Sequence, residues 1–426
     1  MYIDALIDRD KDIIHVVERV NGKRVFREYP ARYVFYYKDS RGKFESIFGD
    51  KLERVVTTSG KQFKKERKLY SSQRLFESDV NPVFRCLADN YLGAETPKLQ
   101  QAFFDIEVDF DPEKGFADPS DPFNPVTAIS VHLDWIGKTI CLVNKPKTLT
   151  KADAQTIVDR FEDTILLDTE DELLETFLQL IDDADVMSGW NSEGFDIPYM
   201  VNRIARVLGK EHTRRFCLWG KYPNRREFER YGKAQETYDT VGRLHLDYME
   251  LYRKYTYHEM HSYSLDAIGE YELGERKTEY QGTLDQLYNN DFETFIRYSR
   301  QDVDLLVRMD KKLQFIDLAN VIAHDNTVLV QTTMGAVAVT DQAILNEAHS
   351  RGLICPDKQH DKTQKHYPQT CTAAGAYVAT PKKGFHQWIG SMDLNSLYPS
   401  ILRSLNMSTE TIVGQIRHTL TVPMLN

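Results

Sequence analysis

The chain has 426 residues, of which 41% are hydrophobic and 28% charged, with a formal net charge of −10. That length is too great for one ordinary core, so two or three domains are expected, and the composition is that of a globular protein. The sequence has neither the roughly 20 consecutive apolar residues of a membrane span nor the basic start and apolar run of a signal peptide, which predicts a cytoplasmic protein without membrane association.

Residues 1–100 predict a small β-rich domain. Strand-like segments such as IIHVVERV and RVFREYPARYVFYY are separated by Asn-Gly and Ser-Arg-Gly turn signals. This part also holds an excess of bases, including a run over residues 61–68, whereas residues 101–200 hold far more acids than bases. An acidic block beside a basic one indicates a metal-dependent site next to a nucleic-acid surface, although a solvated charged face has the same composition.

Residues 101–330 alternate between strand and helix patterns. Strands are predicted for the segments QAFFDIEVDF, TAISVHLDWIG, TICLV and DVMSGW. The spacing of apolar residues over about 151–185 predicts helix. A further helix should begin near Pro198, which suits a first turn because its missing N–H has no partner there. Two further helices are predicted for the segments SYSLDAIGEYELG and DFETFIRYSRQDVDLLVRMDKKLQFIDLA. The alternation predicts an α/β domain built on a mixed sheet, within a chain that is α+β overall.

Two carboxylates stand two residues apart in the first of these strands. If FFDIEV is a strand, Asp105 and Glu107 leave the same face, within reach of one cation. Their mutual repulsion would cost stability without a neutralising charge, and hard oxygen ligands favour Mg²⁺ or Mn²⁺. An edge strand with solvated acids is the alternative for this pair taken alone.

Three further residues join the pair. Asp196 lies at a strand-to-helix turn in GWNSEGFDIPY, and Tyr298 and Asp302 share one helix face because they are four residues apart. Asp196 could simply cap its helix, and Tyr298 could be a core residue. The combination of all the acids in this order favours a common metal site.

The order DxE, NxxxFD and YxxxD resembles that of the DEDDy exonucleases. The resemblance implies a ribonuclease-H-like fold and 3′→5′ hydrolysis, with two Mg²⁺ or Mn²⁺ ions bound by Asp105, Glu107, Asp196 and Asp302. It also implies that Tyr298 orients the attacking water. Two ions about 4 Å apart can activate a water and stabilise the leaving 3′ oxygen.

Single-stranded DNA is expected to enter by stacking bases on aromatic side chains along a basic groove. Phe123 and Trp190 are the predicted platforms, and Asn191 in the GWN segment is a predicted DNA contact. A core position would suit both aromatic residues equally well.

The segment SMDLNSLYPSIL resembles motif A of family B DNA polymerases, whose core reads DxxSLYPS. The resemblance implies that Asp393 binds both metals of a polymerase site and that the backbone of Leu394, Ser396 and Leu397 cradles a deoxynucleoside triphosphate. It further implies that Tyr398 lies under the sugar and rejects a 2′-hydroxyl. A strand followed by a helix, with the tyrosine as packing, is the alternative.

A second family B resemblance is the segment AGAYV, with Gly375 and Tyr377, which is similar to a small-residue motif that contacts template DNA between exonuclease and palm. It reads AGA where many members have two glycines. The motif GWN-x-x-x-FDIPY is most similar to the corresponding segment of polymerases of T-even-type bacteriophages. This resemblance implies a location in the host cytoplasm.

The resemblance divides the chain into four parts. Residues 1–100 are the N-terminal β-rich domain, 101–330 the exonuclease domain, 331–370 a return segment of the N-terminal domain, and 371–426 the beginning of the palm.

A second palm carboxylate, a fingers helix and a thumb are not found after motif A, so we expect a truncated sequence or one half of a split polymerase. The chain alone should then show only exonuclease activity. Primer-template DNA, a C-terminal polymerase half and a sliding clamp are the implied partners. A stand-alone DEDDy exonuclease and a non-enzymatic replisome-assembly module stay open as alternatives.

Overall fold

The computed structural model describes residues 1–70, 72–110, 115, 117–230, 233–277, 282–358 and 377–413. Clustering of contacts divides the chain into two compact units, Met1–Gln359 and His360–Asn426. Within the described ranges, every helix is too short or too polar to cross a membrane.

Fifteen strands are found in the described residues. They are β1 Tyr2–Asp8, β2 Ile13–Val20, β3 Lys23–Pro30, β4 Tyr33–Lys38, β5 Phe44–Ser46, β6 Lys51–Thr57, β7 Gln101–Val108, β8 Val126–Leu133, β9 Lys138–Asn144, β10 Thr164–Leu167, β11 Val186–Ser188, β12 Asn224–Arg230, β13 Lys233–Asp239, β14 Leu244–His245 and β15 Leu353–Ile354.

The same residues form twelve α-helices. They are α1 Gly60–Leu69, α2 Pro82–Tyr91, α3 Lys151–Val158, α4 Glu170–Leu180, α5 Asp196–Val207, α6 Tyr248–Tyr255, α7 Leu265–Leu273, α8 Leu284–Asn290, α9 Phe292–Leu313, α10 Phe315–Asp325, α11 Ala336–Ser350 and α12 Leu397–Ser404.

The strands of the first sixty residues belong to two small sheets. Strands β1, β2 and β3 form an antiparallel sheet in which Asn21 and Gly22, both with positive φ, make the two-residue turn between β2 and β3. The second sheet has the order β15-β5-β6-β4, and β15 pairs with β5 in parallel. Residues 353–354 therefore lie beside the N-terminal strands, while the four domain boundaries given above stay predictions.

The site is carried by a six-stranded sheet of order β10-β9-β8-β7-β11-β14. Only β8 runs antiparallel to its neighbours. One face of β7 packs Ala102, Phe104 and Ile106 in a core cluster with α4 and α5, while Phe103 on the other face packs with α9. The predicted α/β class with a mixed sheet is confirmed, and the arrangement is consistent with a ribonuclease-H-like fold.

Three predicted elements differ in the structure. The helical pattern over 151–185 is interrupted by β10, because residues 164–167 pair with β9 and so satisfy their backbone groups in the sheet. The long helix predicted over residues 291–319 is divided at Gln314, whose φ of 55° is left-handed. The segment WIGSMDLNSLYPSILRS has the pattern of a strand that leads into a helix, but the described residues 377–413 contain no strand before α12.

The hairpin of β12 and β13 was not predicted from the sequence. Its strands are dominated by charged residues and lack a regular alternation of apolar side chains, so period-2 reasoning finds no signal in them.

A buried ion network joins the sheet of β1, β2 and β3 to the six-stranded sheet. Arg19 on β2 donates to both carboxylate oxygens of Asp185, at 2.9 and 2.5 Å, and to Asp183 at 3.0 Å. Arg24 on β3 donates to the carbonyl oxygen of Ala184 at 2.9 Å. These contacts fix the turn that leads from α4 into β11.

Candidate active site

Strand β7 presents Asp105 and Glu107 on one face of the sheet. The strand pairs with β8 on one side, opposite Ser130 and Ala128, and with β11 on the other. Asp105 is half-buried and Glu107 is buried. Because side chains alternate between the two faces of a strand, Asp105 and Glu107 lie on the same face of β7, as the sequence predicts.

Helix α9 brings a third carboxylate to this face. The helix packs across β7 and β8, where the hydroxyls of Ser130 and Ser299 lie 2.9 Å apart. Carboxylate oxygens of Asp105, Glu107 and Asp302 then all lie within 4.8 Å of one another. The structure thus brings together three of the four acids chosen from the sequence.

Asp196 lies beside this group. It is the first residue of α5, it is buried, and its Oδ1 accepts a hydrogen bond of 3.3 Å from the backbone N–H of Ile106. Since Ile106 separates the two acids of β7, the fourth carboxylate is fixed next to the pair.

Burial of so many acids raises their pKa values. Desolvation raises the pKa of Asp105 and of Glu107 well above the usual range, and the charge of Asp302 raises both further. Burial also raises the pKa of Asp196 to about 7 and raises that of Asp302, where the nearby Lys277 acts in the opposite direction. Keeping these buried carboxylates ionised beside one another therefore costs free energy, and a bound cation would offset that cost.

Lys277 is a site residue that sequence reasoning missed. Its Nζ donates to Oδ2 of Asp302 at 2.5 Å and lies 3.5 Å from the hydroxyl of Tyr298. Burial is the largest single influence on the pKa of Lys277 and lowers it, but the charges of Asp302, Tyr298 and Asp105 and the hydrogen bond to Asp302 together outweigh burial, so the pKa is raised. The lysine follows α7 in a loop without periodic pattern, so nothing in the sequence indicates its position.

Asp247 fixes the backbone of the loop between β11 and α5 through hydrogen bonds. Its Oδ1 accepts from the N–H groups of Asn191 and Met249 at 3.1 and 2.9 Å, and its Oδ2 accepts from that of Glu193 at 3.0 Å. Burial raises the pKa of Asp247 to about 7. Asn191 has a φ of 62°, a left-handed conformation that asparagine tolerates better than most residues.

A cavity of about 360 Å³ opens beside the carboxylates. Its lining residues are Asp105, Trp190, Asn191, Met249, Tyr263, Ser264, Leu265 and Lys277. Trp190 donates from Nε1 to the carbonyl oxygen of Tyr263 at 3.0 Å and packs on the adjoining core. Two of the predicted DNA-contact residues, Trp190 and Asn191, thus face the same space as Asp105, whereas Phe123 is half-buried and is not among the lining residues.

The donor set fits divalent cations. Oε1 of Glu107 and Oδ1 of Asp302 are buried without a hydrogen-bond partner in the described part of the chain. An unpaired buried carboxylate oxygen is costly unless a cation or another donor completes it. These acids can therefore hold a metal ion.

The residues assigned to motif A lie in the second unit. Leu394, Leu397 and Tyr398 are exposed to 61%, 43% and 67%, and Asp393 and Ser396 are also exposed. Helix α12, Leu397–Ser404, begins within motif A, so the helical part of this segment is found and Asp393 precedes the helix.

Of the two residues assigned to the small-residue motif, Tyr377 is exposed, while Gly375 lies outside the described residues.

Comparisons with known proteins match this chain to DNA polymerases. A family model described as DNA polymerase family B, exonuclease domain, matches residues 53–268, and one described as DNA polymerase family B matches residues 328–424. The chain is 28% identical over 424 residues to a DNA-directed DNA polymerase of Escherichia phage RB69, with 93% of this chain and 46% of that protein covered.

Two other relatives are covered to a smaller extent. Identity is 31% over 252 residues with a DNA-directed DNA polymerase of Enterobacteria phage T4, covering 59% of this chain and 27% of the relative. It is 27% over 268 residues with a DNA polymerase delta catalytic subunit of Bos taurus, covering 57% and 22%. The chain thus spans less than half the length of each of these relatives.

Proposed function

The chain belongs to DNA polymerase family B, and we propose that residues 101–330 act as a 3′→5′ exonuclease that shortens single-stranded DNA with the help of Mg²⁺ or Mn²⁺. The observation that carries the proposal is the group of three carboxylates from β7 and α9 within 4.8 Å, with Asp196 hydrogen-bonded beside them. A solvated acidic surface would not bury these oxygens without partners.

The chain's own residues suit the binding of a 3′ end. The cavity beside Asp105 is lined by Trp190 and by Asn191, which offer an aromatic face and an amide to a terminal base. Asp105, Glu107, Asp196 and Asp302 would hold two divalent ions, which when bound supply an activated water and charge for the leaving 3′ oxygen.

Tyr298 and Lys277 complete the arrangement. The Tyr298 hydroxyl lies one helical turn from Asp302, where it can accept from Lys277 and orient a water by its own O–H. Lys277 holds Oδ2 of Asp302 in place and offsets part of the cluster's charge. We propose that the tyrosine positions water and that the lysine orients the carboxylate.

The proposal extends to a larger enzyme. By the motif A resemblance, Asp393 would bind metal, Tyr398 would contact the sugar of a deoxynucleoside triphosphate, and primer-template DNA would be the substrate. A C-terminal polymerase half and a sliding clamp are the proposed partners, and the host cytoplasm is the proposed location.

The test uses the purified chain and a 5′-labelled single-stranded oligonucleotide. With Mg²⁺ or Mn²⁺, products should shorten from the 3′ end and release mononucleotides, and EDTA should stop the reaction. The variant Asp105→Ala/Glu107→Ala should be inactive. Asp304→Ala is the matched control, because Asp304 lies on α9 two residues from Asp302 but is exposed and pairs with Arg308.

Wild-type protein without metal-dependent release of nucleotides would refute the assignment. So would a double variant that retains wild-type activity, since the acids of β7 would then have no part in hydrolysis.

A further inference from the structure

A second cavity, of about 470 Å³, shares no lining residue with the cavity beside Asp105. Its walls come from the loop after β11, the strands β12 and β13, the segment that joins β14 to α6, and the 3-10 helix Val330–Met334. The lining residues are Glu193, Arg226, Asp239, His245, Leu246, Asp247, Glu250, Gln331 and Met334. Small-molecule sites measure roughly 300–1,000 Å³, so this cavity has room for a ligand.

The lining of this second cavity carries more negative than positive charge. Four of its nine residues are Asp or Glu, against a single arginine. Arg226 is shared between two of the acids, because its Nε donates to the two oxygens of Asp239, at 3.0 and 3.1 Å, and its Nη2 donates to Glu193. One guanidinium cannot neutralise this many carboxylates. The cavity therefore favours a cationic ligand.

His245 offers the cavity a hydrogen-bond acceptor. The hydroxyl of Ser192 lies 3.2 Å from the carbonyl oxygen of Gly189 and 2.9 Å from Nε2 of His245. Because the carbonyl oxygen can only accept, the hydroxyl donates to Gly189, and Nε2 carries the proton that is donated to Ser192. Burial lowers the pKa of His245 to about 3, so the ring is neutral and Nδ1 holds a lone pair. His245 is only 7% exposed, and Nδ1 has no hydrogen-bond partner among the described residues.

The acceptor atoms of this cavity are too dispersed to bind a bare metal ion. In the part of the chain that the structure describes, only Asp105, Glu107 and Asp302 bring three such atoms within 4.8 Å of one another. Leu246 and Met334 add apolar surface to the wall of the second cavity. A ligand with N–H donors at the ends of a hydrocarbon stem matches both the dispersed acceptors and the apolar surface.

We propose that this second cavity binds a small organic dication of the linear diamine class, whose ammonium groups donate to Nδ1 of His245 and to the carboxylates of the wall. An ammonium group has three N–H donors and no acceptor, so it suits a wall that is rich in acceptors. Asp247 lines this cavity and also holds the backbone N–H of Asn191, which lines the other cavity. The proposal rests on its own residues and does not require the exonuclease activity proposed above.

The test titrates the metal-free protein with the diamine putrescine and measures binding by isothermal titration calorimetry. Butylamine and butanediol are the matched probes, because they keep the four-carbon stem and lack one or both ammonium groups. The affinity should fall from putrescine to butylamine, and butanediol should not bind. Putrescine should also raise the Tm, as a ligand of the native state does.

Two variants of the wall test which groups bind the ligand. His245→Gln should weaken putrescine binding about 10- to 100-fold, the loss expected for one hydrogen bond to a charged group. The glutamine amide can still donate to Ser192 in place of Nε2, so the variant removes mainly the acceptor Nδ1. Glu250→Gln should also weaken binding, because it removes one negative charge from the wall. Glu347→Gln is the control with the same charge change, since Glu347 is exposed on α11 and pairs with Arg351.

The control variant should bind putrescine as wild type does, and Mg²⁺ at the same concentration should leave the putrescine affinity unchanged. The proposal would be overturned if putrescine did not bind, or if both wall variants bound it with wild-type affinity. An equal loss in Glu347→Gln would also overturn it, because net charge alone would then explain the effect. Displacement of putrescine by Mg²⁺, or equal affinity for butanediol, would show that the cavity does not select an organic dication.

Discussion

The ammonium group of Lys277 lies 2.5 Å from Oδ2 of Asp302, although Asp302 also belongs to the carboxylate group that can hold a metal ion. The lysine side chain is 26% exposed and the aspartate side chain 4%. Oδ2 of Asp302 is therefore paired with the ammonium group of Lys277, while Oδ1 is buried and has no hydrogen-bond partner among the described residues.

Replacing Lys277 by Met should destabilise the metal-free protein by about 1–3 kcal/mol, because Oδ2 of the buried Asp302 loses its hydrogen-bond donor. Added Mg²⁺ should then raise the Tm more in the variant than in wild type, since the ion supplies the missing charge. Lys312→Met is the control, as Lys312 pairs with Glu272 but is half-exposed. Equal Mg²⁺-induced Tm shifts in wild type and Lys277→Met would contradict this role.

Tyr298→Phe should lower exonuclease turnover on the order of 10²-fold, because a positioned hydroxyl is lost, while metal affinity stays unchanged. Asp302→Ala should remove most turnover and weaken metal binding. Tyr288→Phe is the control, since the Tyr288 hydroxyl donates to the carbonyl oxygen of Asn144 away from the cluster. Single-turnover rates and Mn²⁺ titrations measure both effects, and equal metal affinity in wild type and Asp302→Ala would contradict the assignment.

Asp247→Asn should lose the bond from the N–H of Glu193, because the amide nitrogen would face a donor, at a cost of about 1–3 kcal/mol. Oδ1 can keep its other two bonds. The KM for single-stranded DNA should rise more than kcat falls, since Asn191 lines the cavity.

The matched control for that loop is Asp357→Ala, which removes the acceptor of the bond from the N–H of Ser78 in the N-terminal part. It should lower stability without raising KM. If both variants changed KM alike, Asp247 would have no specific role at the cavity.

Trp190→Leu should weaken binding of single-stranded DNA by about 1–3 kcal/mol, the range for a lost base-stacking platform. Phe123→Leu should change affinity less, because Phe123 does not line the cavity. Anisotropy in EDTA measures both. A larger loss with Phe123→Leu would show that the strand follows a different surface.

Arg19→Met should destabilise residues 1–359 by about 3–5 kcal/mol, since Asp185 would remain buried with its main partner removed. Arg27→Met should cost at most about 1 kcal/mol, because Arg27 is half-exposed in its pair with Glu18. Urea unfolding compares the two. Similar losses would indicate that burial of the Arg19 pair is unimportant.

The acids of the site could be predicted because their signals are local. Asp105 and Glu107 alternate along one strand, and Tyr298 and Asp302 are one turn apart on one helix, so periodicity predicts each pair, while the order of the motifs joins the two pairs and Asp196. Lys277 and Asp247 could not be predicted, since each acts through contacts to residues distant in sequence. The same limit explains β10, whose strand conformation depends on its pairing with β9 and not on its own apolar spacing.

The Arg19 and Arg24 contacts to the turn before β11 have a practical consequence for dissecting the molecule. A fragment beginning at residue 101 would contain the whole carboxylate cluster, yet Asp185 would lose both of its arginine partners and the turn before β11 would lose its contacts to β2 and β3. Such a fragment should be poorly soluble or misfolded even though its sequence looks like a self-contained nuclease. Excision for crystallography or for use as a reagent should therefore retain the first three strands.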